Sequence, residues 1–230
     1  MERILITGAS RGIGRAIAER LAAPGRELIL HGRDGVALTV VQASVVARGA
    51  SARLVRGDVS KHETIKHLVA AVGDATLTAL VNNAGGALVK PIESISRAEW
   101  EESLGVGVTA PFLLVQALLP RLAPGSSIVN VMSVAARRGF AGWSAYCAAK
   151  FALEGFALAL REELRGRGVR VINVYPAATD TTLWETVAGA WPRDRMIAPA
   201  EVAEAVAYAL SRPAGVLVES VEVGDLSGPI

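Results

Sequence analysis

Short apolar runs rich in β-branched residues alternate along this chain with longer stretches of helical periodicity. The short runs are Ile4–Thr7, Glu27–His31, Ala52–Arg56, Ala79–Asn82, Ser127–Ser133, Val169–Tyr175 and Val216–Val223. Most are apolar along their whole length rather than at every second residue, the pattern of parallel strands covered on both faces. The helical stretches are Ile13–Ala23, Val36–Arg48, Lys61–Val72, Arg97–Leu122, Ser144–Arg167 and Pro199–Ser211. Two carry a capping-box pattern, Ser60-x-x-Glu63 and Ser96-x-x-Glu99, which satisfies free N–H groups at a helix start. Pro199 suits a first helical turn. This order predicts right-handed crossovers and an α/β fold, a doubly wound parallel sheet of about seven strands with helices on both faces. No linker or repeat divides residues 1–230, so one domain is expected. Residues 176–198 hold no clear element, and long loops in compact domains are often lids; the lid is placed at 181–198.

Composition narrows the function classes. Hydrophobic residues make up 51% of the 230 and charged residues 20%, with 24 Lys+Arg against 22 Asp+Glu for a net charge of +2. Such a chain buries a real core and does not resemble a disordered one. A charge of +2 argues against a nucleic-acid partner, which asks for a basic excess. Cys147 is the single cysteine, so no internal disulfide is expected, and beside Tyr146 it reads as a small buried helical residue. His31, His62 and His67 have no zinc-ligand spacing, and no metal is expected. Charges and prolines break the apolar runs before ~18 residues, so no membrane partner is expected. The chain enters its first strand without a signal-peptide pattern, and a cytoplasmic location is expected.

The first strand runs into Thr7-Gly8-Ala9-Ser10-Arg11-Gly12-Ile13-Gly14. Gly8 permits a tight turn, Gly12 lets backbone approach a pyrophosphate, and Gly14 lets the helix sit close to the strand. The helix start then offers N–H groups and a positive dipole end to phosphate. After the second strand stands His31-Gly32-Arg33-Asp34. An acidic residue at position 32 would bind the ribose 2′-OH of NAD; Gly32 followed by Arg33 instead suits the 2′-phosphate of NADP. Arg11 offers a second guanidinium to that phosphate. NADP(H) is therefore expected over NAD(H), and Asp34 is set aside as a ribose ligand.

Tyr146 and Lys150 stand four apart at a helix start and share a face. Ser133 ends a strand, where α/β sheets present side chains to ligands. A tyrosine with pKa ~10 needs a nearby cation to act as a base at neutral pH. Lowering it by ~2–3 pH units takes ~3–4 kcal/mol. The expectation is that Lys150 supplies this, that Ser133 holds a substrate oxygen, and that Tyr146 passes the proton while hydride moves to or from a nicotinamide.

Five pieces in order resemble the short-chain dehydrogenase/reductase family: TGASRGIG from Thr7, GDV at Gly57–Val59, NNAG at Asn82–Gly85, Ser133, and YCAAK at Tyr146–Lys150. The resemblance covers essentially the whole chain and implies a Rossmann-like fold. It implies an NADP(H)-dependent oxidoreductase interconverting a secondary alcohol and a carbonyl on a small-molecule substrate. It places Asp58 at the adenine amino group and Asn82, Asn83 and Ala84 along the adenosine half of the cofactor. It adds Ser10, Ile13, Val59, Gly85 and Pro176 to the cofactor site, puts Thr181 near the nicotinamide, and gives Lys150 the nicotinamide ribose hydroxyls. It also implies a homo-oligomer, dimer or tetramer, through the helices Arg97–Leu122 and Ser144–Arg167.

Three departures stand out. Gly107 replaces an asparagine that the family uses to hold a proton-relay water. Ala177 replaces a glycine of the turn after the sixth strand. The ending Val221–Leu226 looks more like the family's NADP-dependent serine and 3-hydroxy acid dehydrogenases. Two rival readings remain: a 3-oxoacyl-acyl-carrier-protein reductase, to which Arg137 and Arg138 could offer charge, and an NADP-binding regulatory protein that has lost catalysis. Trp143, Trp184 and Trp191 are expected to flank the substrate pocket and its lid.

Overall fold

All seven apolar runs pair into one sheet. In the computed structural model, which describes residues 1–187, 189–226 and 228, the strands are β1 (Glu2–Ile6), β2 (Arg26–Gly32), β3 (Ser51–Arg56), β4 (Ala79–Asn82), β5 (Ser127–Val131), β6 (Arg170–Pro176) and β7 (Ser220–Val223). Their order is β3-β2-β1-β4-β5-β6-β7, and every neighbouring pair is parallel. The helices are α1 (Gly12–Leu21), α2 (Gly35–Ala47), α3 (His62–Val72), α4 (Arg97–Leu104), α5 (Ala110–Leu118), α6 (Ser144–Arg165) and α7 (Pro199–Leu210).

Successive strand residues face opposite sides of the sheet, and both sides here are covered. Leu5, Leu80, Ile128 and Val171 pack with Leu68 of α3, Leu114 of α5 and Leu153 of α6. Ile6, Val81, Val129 and Ile172 pack with Ile17 of α1, Leu38 of α2 and Val206 of α7. That is the physical reason the strands read as continuous apolar runs. The winding reverses between β1 and β4, and a crevice opens there at the carboxyl ends of the strands.

The stretch expected as one helix from Arg97 to Leu122 is α4, a π-helical turn at Gly105–Thr109, α5, and a 3-10 turn at Leu119–Arg121. Pro111 has no N–H to give the Gly107 carbonyl. The wider register runs instead from the Ala110 N–H to Gly105 O, and two glycines lower the cost of the change. Contrary to the run-length argument, Arg97–Arg121 is long and apolar enough to cross a membrane by length and composition. Its Ala110, Leu114 and Leu118 are spent in the core beside the sheet.

The Ser96–Glu99 box forms, with Ser96 N–H and Glu99 N–H each meeting the other's side chain. The Ser60–Glu63 box does not. Asp58 Oδ1 takes both the N–H and the hydroxyl of Ser60, at 2.9 and 2.8 Å, so α3 starts later, with Lys61 at its N-cap. β5 stops at Val131 and β7 starts only at Ser220, because Val216 is drawn into a turn by its N–H bond to Pro213 O. The 181–198 segment is shaped by 3-10 turns at Thr182–Glu185 and Arg193–Arg195, with its stem closed by a parallel bridge between Thr179 and Ile197. Ala188 lies outside the described residues.

Candidate active site

The glycine turn takes the shape its residues permit. Gly8 and Gly12 have φ of +67° and +55°, a region costly for any residue with a Cβ. Gly14 has ordinary φ, but a Cβ there would lie 2.2 Å from Gly8 O. Arg11 holds the N-cap of α1 without capping it through its side chain, so the first N–H groups of the helix remain available to an anion. Thr7 ties this turn to the end of β4. Its hydroxyl accepts from the N–H groups of Asn83 and Ala84, both at 3.0 Å. The Asn83 amide donates back to Thr7 O and Gly8 O at 2.9 and 3.1 Å.

Sequence reasoning missed His31, which has no motif to mark it. Its Nδ1 accepts from Gly8 N–H at 3.4 Å, leaving Nε2–H to donate to Gly57 O at 3.1 Å. The ring therefore links the glycine turn to the residue after β3. Burial holds its pKa down at about 4, against an ordinary 6.5. As pH falls, the unfolded chain protonates first, so stability present above pH 6.5 is lost between 6.5 and about 4, on the order of 3 kcal/mol in all. Denaturant titrations across that range should show wild type losing stability faster than His31→Gln. Parallel losses would remove His31 from this role.

The turn forms one end of a cleft of about 580 Å³. Ser10, Arg11, Gly32 and Arg33 line its outer end, with Asp58 and Val59 beside them. Burial opposes the Asp58 charge, but the two Ser60 bonds, with Lys61 and Arg33 nearby, hold its carboxyl below the usual range. Ile13, Ala84, Gly85 and Thr181 continue the wall, and Thr181 faces Gly12 across it. Two expected cofactor residues are not on this wall. Asn82 is buried, its amide donating to Asn130 Oδ1 at 3.0 Å; Asn130 in turn donates to Asn173, an amide ladder made by strand register. Pro176 is buried at the end of β6.

Tyr146 and Lys150 stand at the inner end of the cleft on α6. Ser133 caps the short turn after β5, its Oγ accepting from Ala135 N–H at 3.1 Å, and its hydroxyl is near enough to favour the charged form of the Tyr146 phenol. Lys150 is buried, its Nζ donating to Val131 O at 2.8 Å and standing 5.7 Å from the Tyr146 ring centre. Burial, rather than Lys150, dominates the Tyr146 phenol. It raises the phenol above its usual value, and the Ser133 hydroxyl only partly offsets this. Lys150 is itself brought down by burial to about 8.

Residues 2–190 match the family model described as short chain dehydrogenase. The chain belongs to the short-chain dehydrogenase family. Like its relatives, this short-chain dehydrogenase is an oxidoreductase acting on alcohol and carbonyl groups. It is 32% identical to an uncharacterised oxidoreductase of Listeria monocytogenes, over 98% of this chain and 97% of the relative. It is 32% identical to a 3-oxoacyl-[acyl-carrier-protein] reductase of Synechocystis, over 93% and 91%. The solved alcohol dehydrogenase of the archaeon Thermococcus sibiricus, complexed with 5-hydroxy-NADP, superposes with a TM-score of 0.90 at 28% identity, covering 100% of this chain and 99% of that one.

Within this dehydrogenase the departures acquire physical reasons. A Cβ on Gly107 would come 2.7 Å from the Ala149 Cβ. The glycine lets the π-helical turn approach α6, and an asparagine there would push the helix carrying Tyr146 and Lys150. Ala177 needs no glycine, since no described non-glycine residue has positive φ. Arg137 pairs with Glu222 and stacks on Tyr175 at 3.7 Å, while Arg138 lies 4.6 Å from the Phe140 ring centre. Cys147 is buried. The three tryptophans pack on one another beside Tyr146 rather than spreading along the cleft wall.

Proposed function

We propose that this dehydrogenase reduces ketones or aldehydes, and oxidises the matching alcohols, with NADP(H) as its cofactor. The observation that carries the reading is Tyr146 beside buried Lys150, with the Ser133 hydroxyl acting on the phenol, in one cleft whose other end is lined by Arg11 and Arg33. The residues fit the cofactor. Gly8 and Gly14 let the turn close against Ala84, Asn83 and itself, and Gly12 leaves room beside Thr181, so backbone N–H groups at the start of α1 are open to phosphate. Arg11 and Arg33 form no ion pair among the described residues, and Gly32 offers no carboxylate to repel a 2′-phosphate. The 5-hydroxy-NADP of the archaeal relative supports the same assignment.

The nicotinamide supplies hydride in reduction and takes it in oxidation. Ser133 Oγ accepts from Ala135 N–H, and its own O–H is the donor that would hold the substrate oxygen. Tyr146 keeps its proton at neutral pH because its phenol is raised, and gives it to that oxygen as the carbonyl becomes an alcohol. Oxidation needs the tyrosinate and gains as pH rises. Lys150 is a cation below about pH 8, steadies charge on Tyr146, and directs its remaining N–H groups to ribose hydroxyls. Gly8, Ser10, Gly12, Ile13 and Gly14 cradle the phosphates, with Asp58, Val59, Asn83, Ala84 and Gly85 on the adenosine side and Thr181 near the nicotinamide.

The reading takes residues 1–230 as one domain with its lid at 181–198, cytoplasmic, with no nucleic-acid or membrane partner. A second copy of the chain covers α5 and α6, where Phe112, Phe151 and Leu158 are 42%, 46% and 48% exposed. The Synechocystis relative supports a carrier-protein reductase as the second reading, but Arg137, which that reading calls on, is committed to Glu222. A panel of ketones and alcohols followed by NADPH absorbance, with NADH alongside, tests the proposal. Arg33→Ala should raise the NADPH KM about tenfold or more, the size of one charge-assisted hydrogen bond, and leave the NADH KM unchanged. Equal effects on both coenzymes would sink the NADP assignment.

A further inference from the structure

A cluster of three tryptophans adjoins Tyr146 through Trp143. Trp143 stands just ahead of α6, and its ring meets the Tyr146 ring edge-on, 5.6 Å between centres at 66°. Trp184 and Trp191 come from the 181–198 segment. They lie 4.8 Å from each other and 6.2 and 6.0 Å from Trp143. All three remain partly exposed. Trp184 Nε1 donates to Thr179 O at 2.8 Å and Trp191 Nε1 to Val187 O at 3.3 Å. The polar handles of both lid indoles are thus used within their own loop, and what they offer a visitor is ring face.

The charges around this cluster are mostly committed. Arg193 pairs with Asp180 at the lid stem, Arg137 pairs with Glu222, and Arg138 rests on Phe140, whose ring is 6.3 Å from Trp143. Arg193 and Arg137 each already face a carboxylate of the protein. Aromatic rings gain from edge-to-face and offset contacts at centre distances of about 4.5–7 Å. A flat apolar substrate beside Tyr146 exchanges one ring contact for another and leaves no indole face newly wetted. A short polar substrate has no such exchange to offer.

We infer that the preferred substrate is an aryl or fused-ring ketone, or its alcohol, seated against Trp143, Trp184 and Trp191. This rests on the ketone-reductase reading and adds the chemical class. In the reaction, hydride from NADPH and the Tyr146 proton convert the ketone to the alcohol, leaving NADP⁺, and solvent returns the proton to Tyr146.

The test compares 2-tetralone with 2-butanone and 3-oxobutanoate as substrates of the full chain with NADPH. The kcat/KM for 2-tetralone should exceed both others at least tenfold. Trp191→Leu and Trp184→Leu, which keep an apolar side chain, should cut that preference at least fivefold, and Trp191→Tyr should restore part of it. A preference for 2-butanone or 3-oxobutanoate overturns the inference, as does a preference untouched in both leucine variants. NADPH affinity is measured in each variant to show that the fold is kept. If no ketone turns over, the reductase reading fails by itself. Calorimetric titration of 2-tetralone into the NADPH-loaded protein then judges the seat. Saturable binding weakened in Trp191→Leu upholds it, and no binding overturns it.

Discussion

Tyr146→Phe should lower ketone reduction about a thousandfold, within the range that one positioned proton donor contributes, while NADPH still binds. The substitution removes one oxygen and keeps the ring in its edge contact with Trp143. Lys150 stays anchored to Val131 O, so the cofactor contacts proposed for it should not be disturbed. What disappears is the phenol proton beside Lys150 at the inner end of the cleft. Steady-state rates and an NADPH fluorescence titration, taken together, separate the two effects. Turnover within about tenfold of wild type would show that another group delivers the proton and would remove Tyr146 from the mechanism.

Gly14→Ala should destabilise the protein by about 3–5 kcal/mol and abolish cofactor binding at ordinary concentrations. The new methyl would meet Gly8 O at 2.2 Å, Asn83 Nδ2 at 2.4 Å and Gly8 C at 2.8 Å. None of these can retreat cheaply. The Gly8 segment is held by Ala9 N–H on His31 O at 2.7 Å and by Gly8 N–H on the His31 ring. Asn83 is held by its two bonds to Thr7 O and Gly8 O. Overpacking alone costs about 1–3 kcal/mol, and each hydrogen bond broken to relieve it adds about 1 kcal/mol. In a chain of this size that is a fall of roughly 10 °C in Tm. Gly166→Ala is the control, since nothing lies within 4 Å of a Cβ there. Thermal melts of the two variants should differ by most of that interval; equal melts would mean the turn yields more readily than its bonds imply.

The two predictions differ in how far ahead of the structure they were legible. Tyr146 and Lys150 could be paired from their spacing alone, because residues four apart on a helix share a face. The direction of the Tyr146 shift could not, since desolvation depends on what packs over the hydroxyl. Gly14 was legible as a close-approach position, but not the identity of what it approaches. Asn83 illustrates the same limit. Its motif placed it at the cofactor, and it does line the cleft, yet its amide is spent holding the glycine turn. The Ser60–Glu63 pattern was sound locally and failed because the Asp58 carboxylate two residues upstream takes the Ser60 N–H that Glu63 would have accepted, along with the Ser60 hydroxyl.

Local physics was written in the sequence. Continuous apolar runs meant strands buried on both sides, and the glycines after β1 meant positive φ and a bare helix start, because both follow from backbone period and sterics within a few residues. Gly32-Arg33 carried the cofactor preference for a similar reason, being adjacent to a strand end whose position the fold class already implies. The tertiary structure alone decided which side chains meet across long separations. It set His31 between the glycine turn and Gly57, closed the π-helical turn onto Ala149, raised Tyr146 against the pull expected from Lys150, and gathered Trp143 with Trp184 and Trp191. Those outcomes depend on packing and on exclusion of water, and neither has a period that a single chain can display.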